Sequence, residues 1–300
     1  MNPNESTATD QNVNDITHEI ADLERRLAEA KAKIATTPNP AKPPPSLSYI
    51  SSPPHHFLLL LSDSALPLGS FAFSSGLESF LAHQKTSASP HPPSPSTSFA
   101  SFLPLSISSL AATALPFLLA AHRDPSPSSL LALDDALDAA TLCTVARRAS
   151  VAQGRALLSI WERALCHAVP PAGAAAALRG FSAALKAATT EDDDLPPAVS
   201  AHVAPLFGAI GRLAGLGAEE TAYVFVMGHV KALVSAGVRA GVFGPYQAQR
   251  TLAGGEVRGL IGAVVAREWE TPVERAGQCV PAMDLWFGRH EVLYSRIFNS

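Results

Sequence analysis

Along most of the chain, apolar residues recur every three to four positions with polar residues between them, the period of a helix face packed on a core. Between Asn14 and Ile34, the apolar positions Ile16, Ile20, Leu23, Leu27 and Ile34 face a charged side built from Asp22, Glu24, Arg25, Arg26, Glu29, Lys31 and Lys33. The pattern predicts a helix that is either solvated on all sides or a short coiled-coil arm, because an isolated helix of this length is marginal in water. Residues 1–13 carry no period and read as disordered, and 36–54 are rich in Pro, Ser and Thr, the composition of a linker.

Beyond His55 the pattern is continuous enough for one folded domain, 55–300, with 1–54 as its N-terminal extension. A short apolar segment, Phe57–Leu61, leads into turn chemistry at 62–71, and a helix is predicted from Phe73 to His83. A Pro/Ser-rich loop is expected at 86–97. Helical pattern then runs from Phe99 to Ala121, where Pro104 and Pro116 predict boundaries or kinks. Leu130, Leu133, Leu137 and Ala140 line the next helix opposite Asp134, Asp135 and Asp138. Helices follow at about 150–167 and 172–188, then a loop with the acidic run Glu191–Asp194 and Pro196–Pro197. Another helix spans about 198–215, and one opening with Glu219 and Glu220 runs to about Val238. A turn containing Gly241, Gly244 and Pro245 precedes a last long helix at about 245–269. Residues 271–300 show little period and read as a C-terminal tail. No internal repeat is found. The expected fold is therefore all-α, a single bundle-like multi-helix domain with an extended arm and a tail.

Composition agrees. Hydrophobic residues make up 47% of the chain, enough for a sizeable core, and Ala and Leu, both strong helix formers, dominate that share. The net charge of −4 comes without a basic stripe, which argues against nucleic acid as a partner. The three cysteines, Cys143, Cys166 and Cys279, are far apart and contain no C-x-x-C, so a reducing, cytoplasmic setting is expected. The polar, acid-bearing start is unlike a secretory signal or a mitochondrial presequence, and no uninterrupted apolar run reaches membrane-spanning length, so no membrane partner is expected.

Catalytic patterns are missing. The sequence has no phosphate-cradling G-x-x-x-x-G-K-[ST], no H-E-x-x-H and no G-x-S-x-G. The ten histidines are scattered, and no spacing demands acid–base chemistry or a metal. An enzyme is thus not expected, and no cofactor is called for. Three segments nonetheless invite a functional reading. Leu66–Glu78 packs Pro67, Gly69, Phe71, Ser74 and Glu78 into one short stretch, either a structural turn or a rigid loop presenting aromatic contacts. Around the 241–245 turn stand Arg239, Tyr246, Gln249 and Arg250, residue types common at interface anchors. The last segment, 286–300, carries Trp286, Phe287, Arg289, Tyr294, Ser295, Arg296 and Phe298, residue types common at interface anchors, where a frayed polar terminus is the norm. This tail either docks on its own domain or orders against a partner, with Arg296 and Phe298 as anchors.

Taken together these segments resemble the UreF-type urease accessory proteins. The resemblance rests on Leu66, Pro67, Gly69, Phe71, Ser74, Gly76, Leu77 and Glu78 after a leucine-rich start, and on Ala146–Ser150 with Gln153, Gly154 and Arg155. It continues through His202, Pro205, Phe207 and Gly208, through Ser235, Ala236, Val238 and Arg239 with Gln247, Gln249 and Arg250, and through the ending Tyr294–Ser300. It covers about 56–300; the 1–55 extension and the 86–97 loop fall outside the pattern. The resemblance implies a helical homodimer that bridges a UreD/UreH-type chaperone and a UreG-type GTPase so that nickel reaches apo-urease, with GTP hydrolysed by the partner. Two alternatives stay open: an enzyme whose site forms only in three dimensions, and a direct nickel carrier.

Overall fold

The computed structural model describes residues 17–32, 52–86, 93–169, 174–188 and 199–299. The expectations for residues 1–13, for most of the 36–54 linker, for 87–92 and for the Glu191–Pro197 loop lie outside these residues. The chain divides into two compact units, Met1–Ile50 and Ser51–Ser300. In the first, α1 spans 17–32, with Ile20, Leu23 and Leu27 each more than half exposed.

The second unit is helical, with no strand among the described residues. Its helices are α2 (Pro53–Ser62), α3 (Leu77–Thr86), α4 (Pro95–Arg123), α5 (Pro127–Ala140), α6 (Thr144–Arg163) and α7 (Ala174–Ala188), followed by α8 (Val203–Leu213), α9 (Ala218–Arg239), α10 (Pro245–Ala253), α11 (Gly255–Glu268) and α12 (Ala282–Arg289). The 29-residue α4 runs through the middle, against α8, α9, α11 and α5. Its Phe102, Ile107, Leu115 and Leu118 are fully buried with Leu206 of α8 and Val226 and Val230 of α9.

Pro104 and Pro116 do not interrupt α4. Each proline removes one N–H, which would have bonded the carbonyl four residues earlier. For Pro104 that carbonyl belongs to the exposed Ala100, within reach of water. For Pro116 it belongs to Ala112, and there Gly277 donates its N–H instead, at 3.1 Å. With the prolines tolerated, α4 and α9 are both long and apolar enough to cross a bilayer, contrary to the reading from uninterrupted runs; 72% and 50% of their most apolar windows are buried inside the protein, as core helices are. The expected helix 245–269 is two helices, because the backbone at Gly254 leaves the helical region at φ −66°, ψ 144°. The expected helix start at Phe73 shifts to Leu77, and residues 273–292, read as aperiodic tail, contain α12 and two 3-10 turns.

The α8 helix lies flush on its neighbours. A β-carbon at Gly208 would come within 2.1 Å of the Leu118 carbonyl oxygen on α4, and one at Gly154 of α6 within 2.0 Å of the Ala201 oxygen just before α8. Only glycine permits these backbone contacts.

Gly208→Ala should lower the free energy of unfolding in urea by about 1–3 kcal/mol or more, the usual cost of forced overpacking. Gly228→Ala on α9, where a β-carbon would meet nothing within 4 Å, should instead be neutral or stabilising by up to ~1 kcal/mol.

Candidate functional site

The first and last parts of the 51–300 unit close on one another. The 66–78 segment turns through left-handed backbone at Gly69, Ser75 and Gly76, then enters α3 with Glu78 in its first turn. Glu78 is the hub. One carboxylate oxygen accepts the Ile297 N–H at 2.7 Å, and the other accepts the Phe298 N–H at 3.3 Å and the His290 Nε2–H at 3.0 Å. His290 is fully buried; with the proton on Nε2, its Nδ1 keeps only a lone pair and has no hydrogen-bond partner. Ser79 donates to the Trp286 carbonyl, and Trp286 meets Phe80 edge to face at 5.4 Å.

The tail continues along the same face. Asn299 donates its N–H to Ala72 O at 2.8 Å. Phe298 is 5% exposed, and the Arg239 guanidinium lies 4.3 Å from its ring centre. The same guanidinium donates to Phe71 O, so Arg239 ties the loop and the tail together. Partial burial holds the Arg239 pKa below the usual arginine value. Glu291 pairs with Arg148 of α6 and with Arg296, the latter at 3.2 Å; these bonds and charges keep its carboxyl below the ordinary range.

The structure thus sorts the residues proposed from sequence. Ser74, Glu78 and Phe298 point into their own domain, so Phe298 fills a socket made by the chain itself rather than standing free for a partner. Arg239 and Arg296 hold the closure from outside. Pro67, Phe71, Tyr294 and Ser295 remain exposed beside it, with Phe71 at 62% and Tyr294 fully exposed. Tyr246, Gln249 and Arg250 face solvent on a separate helix, α10. Sequence reasoning singled out the 286–300 segment for its aromatic and arginine content, but chose Tyr294, Ser295, Arg296 and Phe298 as its site residues and not Trp286, His290 or Glu291, whose partners outside the tail are 143 to 212 residues away in the chain.

A second polar network braces the scaffold. Buried Asp134 of α5 accepts three backbone N–H groups, from Ser200 (2.7 Å), Ala201 (3.0 Å) and His202 (2.6 Å), and so anchors the segment that leads into α8. Asp138 takes a bidentate pair from Arg147 at 2.7 and 3.0 Å, plus the His202 Nε2–H at 2.9 Å. Burial pushes the Asp138 carboxyl up, but the bonds from Arg147, His202 and Ser200 and the charge of Arg147 outweigh it, and its pKa is lowered.

Behind the closure lies a cavity of about 280 Å³, bordered by Phe73, Phe287, Lys231, Asp63, Ser106 and His229. Ser106 Oγ and His229 Nε2 are 2.9 Å apart. Surrounding protein pushes the His229 pKa down to about 4. Such an imidazole is a poor base near neutral pH, and among the described residues no carboxylate bonds its other nitrogen, so the pair lacks the orienting third group of a nucleophilic triad. No group of three His, Cys, Asp or Glu that could hold a metal occurs among the described residues.

Known proteins are similar to this sequence. A profile described as UreF matches residues 95–255. A Schizosaccharomyces pombe protein named "Uncharacterized urease accessory protein UreF-like" is 34% identical over 245 residues, covering 82% of this chain and 97% of that protein. Urease accessory protein F of Arabidopsis thaliana is 30% identical over 247 residues, covering 80% and 90%. The Oryza sativa subsp. japonica protein of the same name is 29% identical over 244 residues, covering 79% and 82%.

Two outcomes test this geometry. Glu78→Ala leaves the Ile297 and Phe298 N–H groups without their acceptor, a loss of about 1–3 kcal/mol. Amide exchange should accelerate at 290–299 and leave α4 and α8 protected. Acid gives the second. Unfolded, His229 titrates near 6.5; folded, near 4. Between these values the unfolded chain binds a proton that the folded chain refuses, so stability is full above pH 6.5 and falls as pH drops toward 4. His122, also lowered, mainly by burial, adds in the same direction. Urea midpoints of His229→Gln should fall less steeply across that window than those of the parent.

Proposed function

The chain belongs to the UreF family of urease accessory proteins, and we propose that it acts in urease maturation as a non-catalytic adaptor. In this reading it bridges a UreD/UreH-type chaperone and a UreG-type GTPase on apo-urease, works as a homodimer in the cytoplasm, and leaves nucleotide hydrolysis to the GTPase. The observation that carries the reading is the closure itself. Rigid bonding of the 66–78 loop to the tail presents Phe71, Val292, Tyr294 and Ile297, each at least 60% exposed, beside the charged trio Arg148, Glu291 and Arg296. Apolar anchors with a charged rim are the anatomy of a protein-docking surface. The three free cysteines suit a reducing compartment.

The 280 Å³ cavity does not favour an enzyme, because its one serine–histidine pair has no orienting acid and an imidazole held near 4. A nickel carrier would need ligands that the described residues of one chain do not bring together.

Co-expression with the chaperone and the GTPase should recover a complex containing both. Phe71→Ala with Tyr294→Ala should cost at least tenfold in affinity for one of them while leaving the thermal midpoint within a degree or two, since both side chains are exposed. Unchanged binding of both partners by this double variant would move the docking surface elsewhere, with exposed Tyr246, Gln249 and Arg250 on α10 next in line.

A further inference from the structure

The α1 helix carries an apolar stripe that its own unit leaves uncovered: Ile20, Leu23 and Leu27 are 52%, 54% and 56% exposed. Their spacing alternates strictly between three and four. Ile20 and Leu27 take position a of a heptad, and Leu23 and Ala30 take position d; the sequence extends the repeat upstream through Val13 and Ile16. This is the seam of a two-stranded coiled coil, not the wider stripe of a helix packed on a globular core.

The flanking charges say which way a second strand runs. Positions e hold Thr17, Glu24 and Lys31, and positions g hold Glu19 and Arg26. A parallel, in-register pair would set Glu19 against Glu24 and Arg26 against Lys31, like charge on like charge along both edges. An antiparallel pair with Ile20 opposite Leu23 of the second strand sets Glu19 against Arg26 twice and Thr17 against Glu24. Sliding that pair by one heptad brings Arg26 against Arg26 in one direction and Glu19 against Glu19 in the other, so the charges choose one register as well as one direction. Asp22 and Arg25 pair with each other on the outer side of α1 and stay off the seam.

We infer that α1 is an antiparallel coiled-coil arm whose partner is the same arm of a second copy of this chain. The complementarity is internal to the sequence: the residues that repel one another in a parallel pair attract in the antiparallel one, which is what a self-recognising strand needs. The mixed charges of its outer face do not suit an anionic membrane surface. The inference is independent of the role in urease maturation, because it concerns residues outside the 95–255 match to the family.

The test uses the full chain with Cys143, Cys166 and Cys279 replaced by serine and a spin label on Ala32→Cys, an outward position. In the antiparallel register the pair is centred between Ala21 and Asp22, so two labels at 32 sit about 30 Å apart along the axis at 1.5 Å per residue. In a parallel pair they lie at the same level, within about 20 Å, two helix widths. The expected result is the long distance, lost in Leu23→Asp/Leu27→Asp. Charge variants give an independent sign. Glu19→Arg should weaken arm pairing roughly tenfold, and Glu19→Arg/Arg26→Glu should restore it. Three results would overturn the proposal: a short distance, a Glu19→Arg variant that pairs more tightly, or no arm-to-arm distance at all at concentrations where the chain is dimeric. The first two mean a parallel pair; the third means that the stripe is covered by something other than this chain.

Discussion

Backbone touching backbone around α8 is the constraint on which the remaining architecture depends. At Gly208 the helix rests on the Leu118 carbonyl of α4, and at Gly154 the α6 helix rests on the Ala201 carbonyl, with no room for a β-carbon at either place. Such close approach fixes α8 to within a few tenths of an ångström, since neither side is a flexible side chain that could yield. The approach also leaves the N–H groups of Ser200, Ala201 and His202, just before α8, deep in the protein, where water cannot serve them. Asp134 serves them instead, from α5, and the Arg147–Asp138–His202 group locks α6 to the same point. Packing and hydrogen bonding here are one arrangement: the glycines bring the segments so near that only a buried carboxylate can complete the bonding.

The helices were legible in the sequence because burial of one face imposes the 3.6 period, and α5 and α9 fall close to their apolar stripes, while α6 begins six residues before the expected start near Ser150. What was not legible has a common physical cause: it depends on atoms far away in the chain. Pro116 reads as a helix breaker until Gly277 supplies the N–H that the Ala112 carbonyl is owed. Glu78 reads as part of a structural turn or a partner-facing loop until residues 212 to 220 positions later bond to it. The tail lacks a period because it packs through single anchors, Met283, His290 and Phe298, rather than along a helical face. The break at Gly254 is invisible to periodicity for the opposite reason, since two consecutive helices of the same phase look like one.

The loop–tail closure shows how a protein without a catalytic constellation can still hold a defined surface. Phe298, His290 and Glu78 are spent inward, and their burial fixes the backbone at 71–72 and 292–299. Exposed Phe71 and Tyr294 are therefore carried on segments that are bonded at several points, which lowers the ordering cost when a partner covers them. Arg239 reaches both segments at once, through the Phe71 carbonyl and the Phe298 ring. Its position at the end of α9 connects the surface to the core helix that packs on α4 and α8.

The same closure sets a schedule for biosynthesis. Glu78 leaves the ribosome more than two hundred residues before Ile297 and Phe298, its acceptor oxygens waiting for donors that do not yet exist. At about 5–20 residues per second, translation needs roughly ten to forty-five seconds to deliver them. Over that interval α4 and α8 can assemble, and the 66–78 loop can be held through the Arg239 bond to the Phe71 carbonyl but not yet through Glu78. A polypeptide that has not yet reached residue 297 therefore displays this loop without its Glu78 clasp, a physical difference between chains that have and have not acquired the tail.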